Sequence, residues 1–112
     1  MNPQQYDVVV TTNQLGDILT DEGAGLVGGL GFAPVLCVGN RYAMAQATHG
    51  SAPDIAGKNI ANPYAMIMSG QMLMAWLGRT REEPKATRAA ALIDHAMEQV
   101  ISAAQALGAC RT

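Results

Sequence analysis

Two aspartates near the start of the chain have a spacing that could hold a metal ion. Asp17 and Asp21 would share one face of a helix, one turn apart. Like charges in this arrangement cost about a few tenths of a kcal/mol, which a bridging cation would offset. Mg²⁺ and Mn²⁺ are hard cations that prefer such oxygen ligands. Spacing alone favours a plainer interpretation, a solvated acidic face extended by Glu22.

A second candidate site is the segment from His49 to Pro63, which reads HGSAPDIAGKNIANP. Small residues at Gly50, Ser51 and Ala52 leave backbone N–H groups uncovered, and Gly57 permits a positive φ. The backbone of such a loop can approach a ligand closely. The segment lacks the GxGxxG spacing of the Rossmann fold.

His49, Asp54 and Asn62 also have ordinary explanations when each is taken alone. His49 is typical of a loop histidine, and Asp54 after Pro53 is a common turn residue. Asn62 before Pro63 is explained by capping of the following helix. Turn chemistry does not account easily for all of them in one short string.

Together the two segments resemble the β-decarboxylating dehydrogenases, the family of the isocitrate, 3-isopropylmalate and tartrate/malate enzymes. The loop is similar to the family's HGSAPDIAGKxIANP, and residues 13–22, NQLGDILTDE, are similar to its NxFGDILSDE. Leu15 replaces the Phe of that motif, and Gln46 replaces the Glu of an EPxHG motif before the loop. The resemblance runs from Tyr6 to the C-terminal helices but aligns only with the last part of such an enzyme.

The resemblance implies a cofactor and a metal. Asp17 and Asp21 would be ligands of Mg²⁺ or Mn²⁺, and Asn13 would lie near the nicotinamide. The loop would bind NAD through His49, Gly50, Ser51, Ala52, Asp54 and Asn62. A carboxylate at Asp54 would accept hydrogen bonds from the ribose 2′-hydroxyl and repel a 2′-phosphate, which favours NAD over NADP.

The reaction implied is the NAD- and metal-dependent oxidative decarboxylation of a 2-hydroxy diacid. NAD would take a hydride from the 2-hydroxyl carbon, and the metal would stabilise the enolate left by decarboxylation. The catalytic and substrate-binding groups, and a third metal carboxylate from a partner subunit, belong to the family's absent N-terminal portion, so no catalytic residue is predicted here. The expected partner is a second copy in a dimer or a complementing N-terminal chain.

Three origins remain open for the sequence: a natural short relative, a truncated gene, or one piece of a split enzyme. A different class of function also remains open. The chain would then be a non-catalytic nucleotide-binding or interaction remnant, as suggested by neutral Gln46 and the absent portion.

The expected fold is an α/β fragment of the isocitrate/isopropylmalate dehydrogenase fold, helix-rich with two or three short strands. A single partial domain over 1–112 would hold a strand and the metal-binding helix in 1–31, strands and the NAD loop in 32–63, and two helices in 64–112. The predicted strands are Tyr6–Val10, Val35–Val38 and Met44–Thr48, the last two joined by Gly39-Asn40.

Three helices are predicted. The first runs from about Gln14 to Gly28, with Leu15, Ile18, Leu19 and Leu26 along one side. The second begins with Asn62 as N-cap and Pro63 as first residue and ends at Gly78. The third follows a capping box at Thr80–Glu83 and ends at Gly108.

Composition excludes several classes of function. The chain has 112 residues, a net charge of −2 and 14% charged residues, with no basic run for nucleic acid. Cys37 and Cys110 lack the spacing of zinc ligands and do not indicate a disulfide framework. The N-terminal residues do not resemble a secretory leader. A cytoplasmic protein is therefore expected. The uncharged stretch Tyr64–Gly78 is too short to cross a bilayer and is predicted to be a core helix.

Overall fold

The computed structural model describes residues 3–106. It contains three α-helices, α1 (Asn13–Leu26), α2 (Tyr64–Thr80) and α3 (Pro84–Ala106). Two strands, β1 (Pro34–Val38) and β2 (Ala43–Ala47), form one sheet. Short 3₁₀ turns occur at Pro3–Gln5, Leu30–Phe32 and Pro53–Ile55.

The two strands form an antiparallel hairpin whose register runs from Pro34 opposite Ala47 to Val38 opposite Ala43. The Gly39 N–H donates to the Tyr42 carbonyl at 2.8 Å and closes the turn. The two strands predicted on either side of Gly39-Asn40 are therefore present. Each begins one residue earlier than expected, and the second also ends one residue earlier. The hairpin delivers the chain directly into the candidate cofactor loop.

Helix α2 is the centre of the packing, because it lies against α3 and against both strands. The residues it buries are small: Ala65, Ser69 and Gly78. At Gly78 a Cβ atom would lie only 2.9 Å from the Thr87 backbone nitrogen of α3. The two helices therefore cross almost backbone to backbone, an approach that a larger residue would prevent.

The predicted strand at Tyr6–Val10 is wrong. Residues 6–10 form no strand, and among the described residues none pairs with them in a ladder. Val8 and Val10 expose 79% and 91% of their surface. β-branched residues favour a strand only where a neighbouring strand and a buried face are available, and the described part of the chain offers neither here.

The junction between α2 and α3 also differs from the prediction. Helix α2 continues through Gly78 to Thr80, so Thr80 does not cap the next helix. Glu83 does, because its Oε1 accepts the Lys85 N–H at 3.2 Å while Pro84 takes the first helical position. Glu82 makes the turn between the helices with φ 53°.

The other helix ends follow the sequence more closely. Asn62 Oδ1 accepts the Tyr64 N–H at 3.0 Å, which is the bond of an N-cap side chain. Helix α1 ends at Leu26, just before Gly28 and Gly29, which have φ values of 116° and 105°. The predicted end of the last helix at Gly108, and Cys110, lie outside the described residues.

The protein exposes an unusually large surface. Its accessible area is 9037 Å², against about 5,900 Å² for a compact monomer of this mass. Its radius of gyration is 15.9 Å, against about 13 Å for a compact domain of this length. The apolar side of α1 faces outward, with Leu15, Ile18, Leu19 and Leu26 each more than half exposed. Among residues 3–106, no helix has the length and apolar character needed to span a membrane.

Candidate functional site

The loop between β2 and α2 lines an open pocket of about 590 Å³. Its wall is built almost entirely from the loop: His49, Ser51, Ala52, Ile55, Ala56, Gly57, Asn59, Ile60, Ala61 and Asn62, with Gly31 from elsewhere in the chain. A pocket of this volume is in the range that binds small ligands and cofactors. The loop thus folds back on itself around one concave site.

Residues in the left-handed region of φ produce the tightly curved path of this loop. Gly50 and Gly57 have φ values of 70° and 76°, and the non-glycine residues Ala52 and Asn59 have values of 42° and 54°. Asparagine tolerates this region, but alanine pays about 1 kcal/mol or more to enter it. Ala52 nevertheless occupies it at the start of the 3₁₀ turn Pro53–Ile55, so local strain is concentrated at the pocket wall.

Backbone donors remain available on the same wall. The N–H groups of Ile55, Ala56 and Lys58 are used within the loop, bonding to the carbonyls of Ala52, Pro53 and Ile55. The N–H groups of Ser51 and Ala52 have no such bond among the described residues. Two successive uncovered N–H groups suit an anionic or polar ligand.

His49 has a defined orientation. Its Nδ1 lies 2.7 Å from the Gly50 carbonyl oxygen, and since a carbonyl only accepts, Nδ1 carries the proton and donates. In the neutral ring Nε2 is then an acceptor. His49 can therefore accept a hydrogen bond from an amino group of a ligand in the pocket.

The predicted cofactor residues divide into three groups. His49, Ser51, Ala52 and Asn62 line the pocket together. Gly50 and Asp54 belong to the same loop without lining it; Asp54 is exposed on the 3₁₀ turn, between the lining residues Ala52 and Ile55. Asn13 lies in a separate cleft.

Six residues line the pocket from within the predicted loop without having been predicted as cofactor-binding residues: Ile55, Ala56, Gly57, Asn59, Ile60 and Ala61. Gly31, in contrast, lines it from outside that loop. It comes from the 3₁₀ turn Leu30–Phe32, and a Cβ placed on it would lie 3.5 Å from Asn62 Cβ. The rings of Phe32 and Tyr64, 5.3 Å apart, hold this turn against the start of α2. Gly31 is separated from the loop by the whole hairpin, so no local sequence pattern could have assigned it.

The second cleft, of about 1000 Å³, lies between α1 and the hairpin. Asn13, Asp17 and Asp21 line it from α1, and Gln46 and Thr48 face them from β2 and the residue after it. Both carboxylates are exposed, and among the described residues no cation forms a salt bridge with either. The fold therefore places the metal candidates, Asn13 and Gln46 around one space.

A divalent cation fits the donor chemistry of this cleft only in part. Two exposed carboxylates suit Mg²⁺ or Mn²⁺. Thr20 also lines the cleft; its hydroxyl donates to the carbonyls of Gly16 and Asp17, each 3.0 Å from Oγ1, which leaves the lone pairs of that oxygen available to a cation. Within residues 3–106, no group of three or more His, Cys, Asp or Glu side chains could hold a metal. A complete coordination shell needs oxygen atoms from beyond these residues, from water or from a substrate.

Comparison with known proteins identifies the family. The sequence profile of the isocitrate/isopropylmalate dehydrogenases matches residues 1–109. An isocitrate/homoisocitrate dehydrogenase of Thermus thermophilus is 52% identical over 93 residues, covering 83% of this chain and 28% of that protein. The chain belongs to the isocitrate/isopropylmalate dehydrogenase family.

A second relative and a solved structure agree with this assignment to the isocitrate/isopropylmalate dehydrogenase family. The 3-isopropylmalate dehydrogenase of Methanothermobacter thermautotrophicus is 51% identical over 87 residues, which are 78% of this chain and 26% of that enzyme. A solved protein from Thermus thermophilus superimposes with a TM-score of 0.65 at 49% identity, covering 76% of this chain and 17% of its own. The predicted family and fold class are confirmed: the protein is a helix-rich portion of this family's fold with a two-stranded sheet.

The chain spans little more than a quarter of the length of these dehydrogenase relatives. The relatives are not uniform in their cofactor, since one Thermus thermophilus relative, 53% identical over 75 residues, is named an isocitrate dehydrogenase for NADP. Membership of the family therefore relates the chain to oxidoreductases, but it does not determine whether NAD or NADP is the cofactor.

Proposed function

We propose that this chain supplies the NAD-binding loop and two metal carboxylates for the oxidative decarboxylation of a 2-hydroxy diacid of the isopropylmalate, isocitrate or tartrate/malate type. The observation that carries the proposal is the gathering of His49, Ser51, Ala52 and Asn62 around one pocket of about 590 Å³. A loop that matches the family motif and also lines an open pocket of a volume suited to small ligands supports the proposal more strongly than the motif alone.

Within that proposal each part of the loop has a task. The Asn62 side chain and His49 Nε2 bind the adenine edge, where donors and acceptors alternate. The N–H groups of Ser51 and Ala52 bind polar oxygens of the cofactor. Asp54, exposed on its 3₁₀ turn, accepts a hydrogen bond from the ribose 2′-hydroxyl and disfavours a 2′-phosphate. The cofactor proposed is accordingly NAD.

The cleft beside α1 holds the reacting end. Asp17 and Asp21 bind Mg²⁺ or Mn²⁺, and Asn13, which lines the same cleft, lies near the nicotinamide. When bound, NAD supplies the hydride acceptor and the cation supplies positive charge for the enolate. General acid and base groups, the missing metal ligand and the substrate-binding residues are proposed to come from polypeptide outside this sequence.

Complementation tests the proposal. The chain is mixed with the N-terminal portion of the Thermus thermophilus isocitrate/homoisocitrate relative, and NADH formation is followed with isocitrate, homoisocitrate and 3-isopropylmalate in turn. We expect NADH from the mixture and none from either part. The matched control carries Asp17→Asn and Asp21→Asn, which keep the side-chain size and remove the charge. Failure of every substrate with an associated, folded pair would contradict an enzymatic role.

A nucleotide-binding module without chemistry is the second candidate. It is favoured by Gln46, a neutral side chain in the cleft at the position where the resembling motif has Glu, and by the presence of only two carboxylates among the cleft's described residues. NAD binding without turnover in any complemented mixture would support this candidate. NADH production by the mixture would end it.

A further inference from the structure

Ser69 is the one polar side chain buried completely in the described part of the chain, with 0% of its surface exposed. It lies on α2, whose other buried residues are Ala65 and Gly78. A hydroxyl in such a place costs free energy unless it is hydrogen-bonded. Its partners therefore indicate what it does.

The Ser69 hydroxyl connects three elements. Oγ donates toward the Gln46 carbonyl at 2.6 Å and the Ala65 carbonyl at 2.7 Å, which share its single proton. It accepts the Val35 N–H at 3.0 Å. The bond to Ala65 lies within α2 and is the usual i−4 bond of a helical serine, whereas the other two reach across to β2 and β1.

The positions of these partners are the key observation. Gln46 is the penultimate residue of β2, just before the cofactor loop, and Ala65 is the second residue of α2, just after it. One hydroxyl thus joins both ends of the loop. Val35 and Gln46 also line the cleft beside α1, so the same bonds hold the wall that faces Asp17 and Asp21.

We propose that Ser69 is a positioning residue that closes the base of the cofactor loop and keeps it in the arrangement that binds adenine nucleotide. This inference rests on the nucleotide-binding role proposed above, although Ser69 itself touches no part of the pocket. In this arrangement the bonds of Ser69 restrict the two loop ends, and the loop between them keeps Ala52 in the left-handed region at φ 42°. Without the clamp, a larger fraction of molecules has an open loop, and apparent affinity falls by that fraction.

The test uses Ser69→Ala, with AMP as the probe because it carries only the adenosine half of the cofactor. We expect AMP binding to weaken about tenfold through loss of the preorganised loop. Amide hydrogen exchange should accelerate in residues 48–63 while α3 stays protected. Ala90→Gly is the control, since it destabilises a buried position of α3 without touching the loop, and it should leave AMP affinity unchanged.

A second variant keeps the test decisive if Ser69→Ala does not fold. Ser69→Cys preserves the volume approximately and leaves only a weak donor, so its AMP affinity should lie below that of the wild type and its loop exchange should be faster. Where Ser69→Ala folds, both values for Ser69→Cys should lie between those of the wild type and the alanine variant. Equal losses of AMP affinity and equal loop exchange in the Ser69 variants and Ala90→Gly would overturn the proposal. If the wild type binds no AMP, nucleotide binding is contradicted, and the exchange comparison alone still decides the role of Ser69.

Discussion

Asp54 is the residue on which the choice between NAD and NADP depends in the proposed site. It is exposed on the turn Pro53–Ile55. We expect Asp54→Ala to weaken NAD binding about tenfold, because the variant loses a charge-assisted hydrogen bond. NADP binding should improve relative to NAD because the repulsion is gone. Competition between the two nucleotides measures the ratio, with exposed Asp94→Ala as the control. An unchanged ratio would remove Asp54 from the site.

The acidic pair on α1 makes a second prediction at this scale. Without metal, Asp17→Asn should raise the free energy of unfolding by about a few tenths of a kcal/mol, because it relieves like-charge repulsion with Asp21. The wild type should gain thermal stability when Mn²⁺ is added, since the ion binds the folded state, and Asp17→Asn should lose that gain.

Glu22→Gln is the matched control for the acidic pair, because it removes a neighbouring charge that does not line the cleft. Thermal melts with and without Mn²⁺ measure the difference. Equal stabilisation of the wild type and Asp17→Asn by Mn²⁺ would show that the cation binds elsewhere.

The sequence indicated the elements wherever local chemistry decides them. The hairpin turn at Gly39-Asn40 and the cap at Asn62 are specified by neighbouring residues and are present in the structure. The run Tyr6–Val10 has equally strong β propensity, yet it forms no strand because pairing depends on a partner rather than on the segment itself. For the same reason Gly31, which meets the loop only through tertiary folding, could not be found from sequence.

The junction of α2 and α3 shows how packing overrides a local signal. Gly78 is typical of a helix end, but the structure uses it as the crossing point with Thr87, and α2 continues to Thr80. The absence of a side chain there serves close approach rather than a turn. Thr80 consequently lies within α2, and Glu83 rather than Thr80 caps α3.

This crossing gives a prediction about stability. Gly78→Ala should lower the free energy of unfolding by about 1–3 kcal/mol, because its Cβ would lie 2.9 Å from the Thr87 nitrogen. Gly70→Ala, in the same helix with nothing within 4 Å of its Cβ, should raise it by about 0.5–1 kcal/mol through helix propensity. Urea unfolding of both variants measures the contrast. Similar effects in the two variants would contradict the close crossing.

At the scale of the whole molecule, the excess surface has a consequence. Large apolar side chains such as Leu92 and Val100 on α3 each expose 60% of their area, and α1 presents a further apolar side. Contiguous apolar surface in water favours association. We therefore propose that the protein covers these faces either in a homodimer or against a complementing chain.

Sedimentation analysis tests this association. We expect the purified chain to sediment as a dimer at micromolar concentration, because dimerisation would bury its exposed apolar surface. The dimer should dissociate on dilution, since association depends on protein concentration by mass action. The double variant Leu92→Glu and Val100→Glu should shift the equilibrium toward monomer if α3 forms the contact. Nucleotide binding should stay intact, because no described residue of α3 lines the loop pocket. A monomer at every concentration tested would contradict homodimerisation.

Whether the loop pocket binds the cofactor is decided by a calorimetric titration of NAD, with Mg²⁺ present, into the purified chain and two glycine variants. Gly31→Leu places a side chain in the pocket beside Asn62, whereas Gly25→Leu makes the same change on α1 where the space is open. We expect saturable NAD binding by the wild type and Gly25→Leu, and its loss in Gly31→Leu. A folded wild-type chain that gives no saturable heat with NAD would contradict the proposed role of the loop.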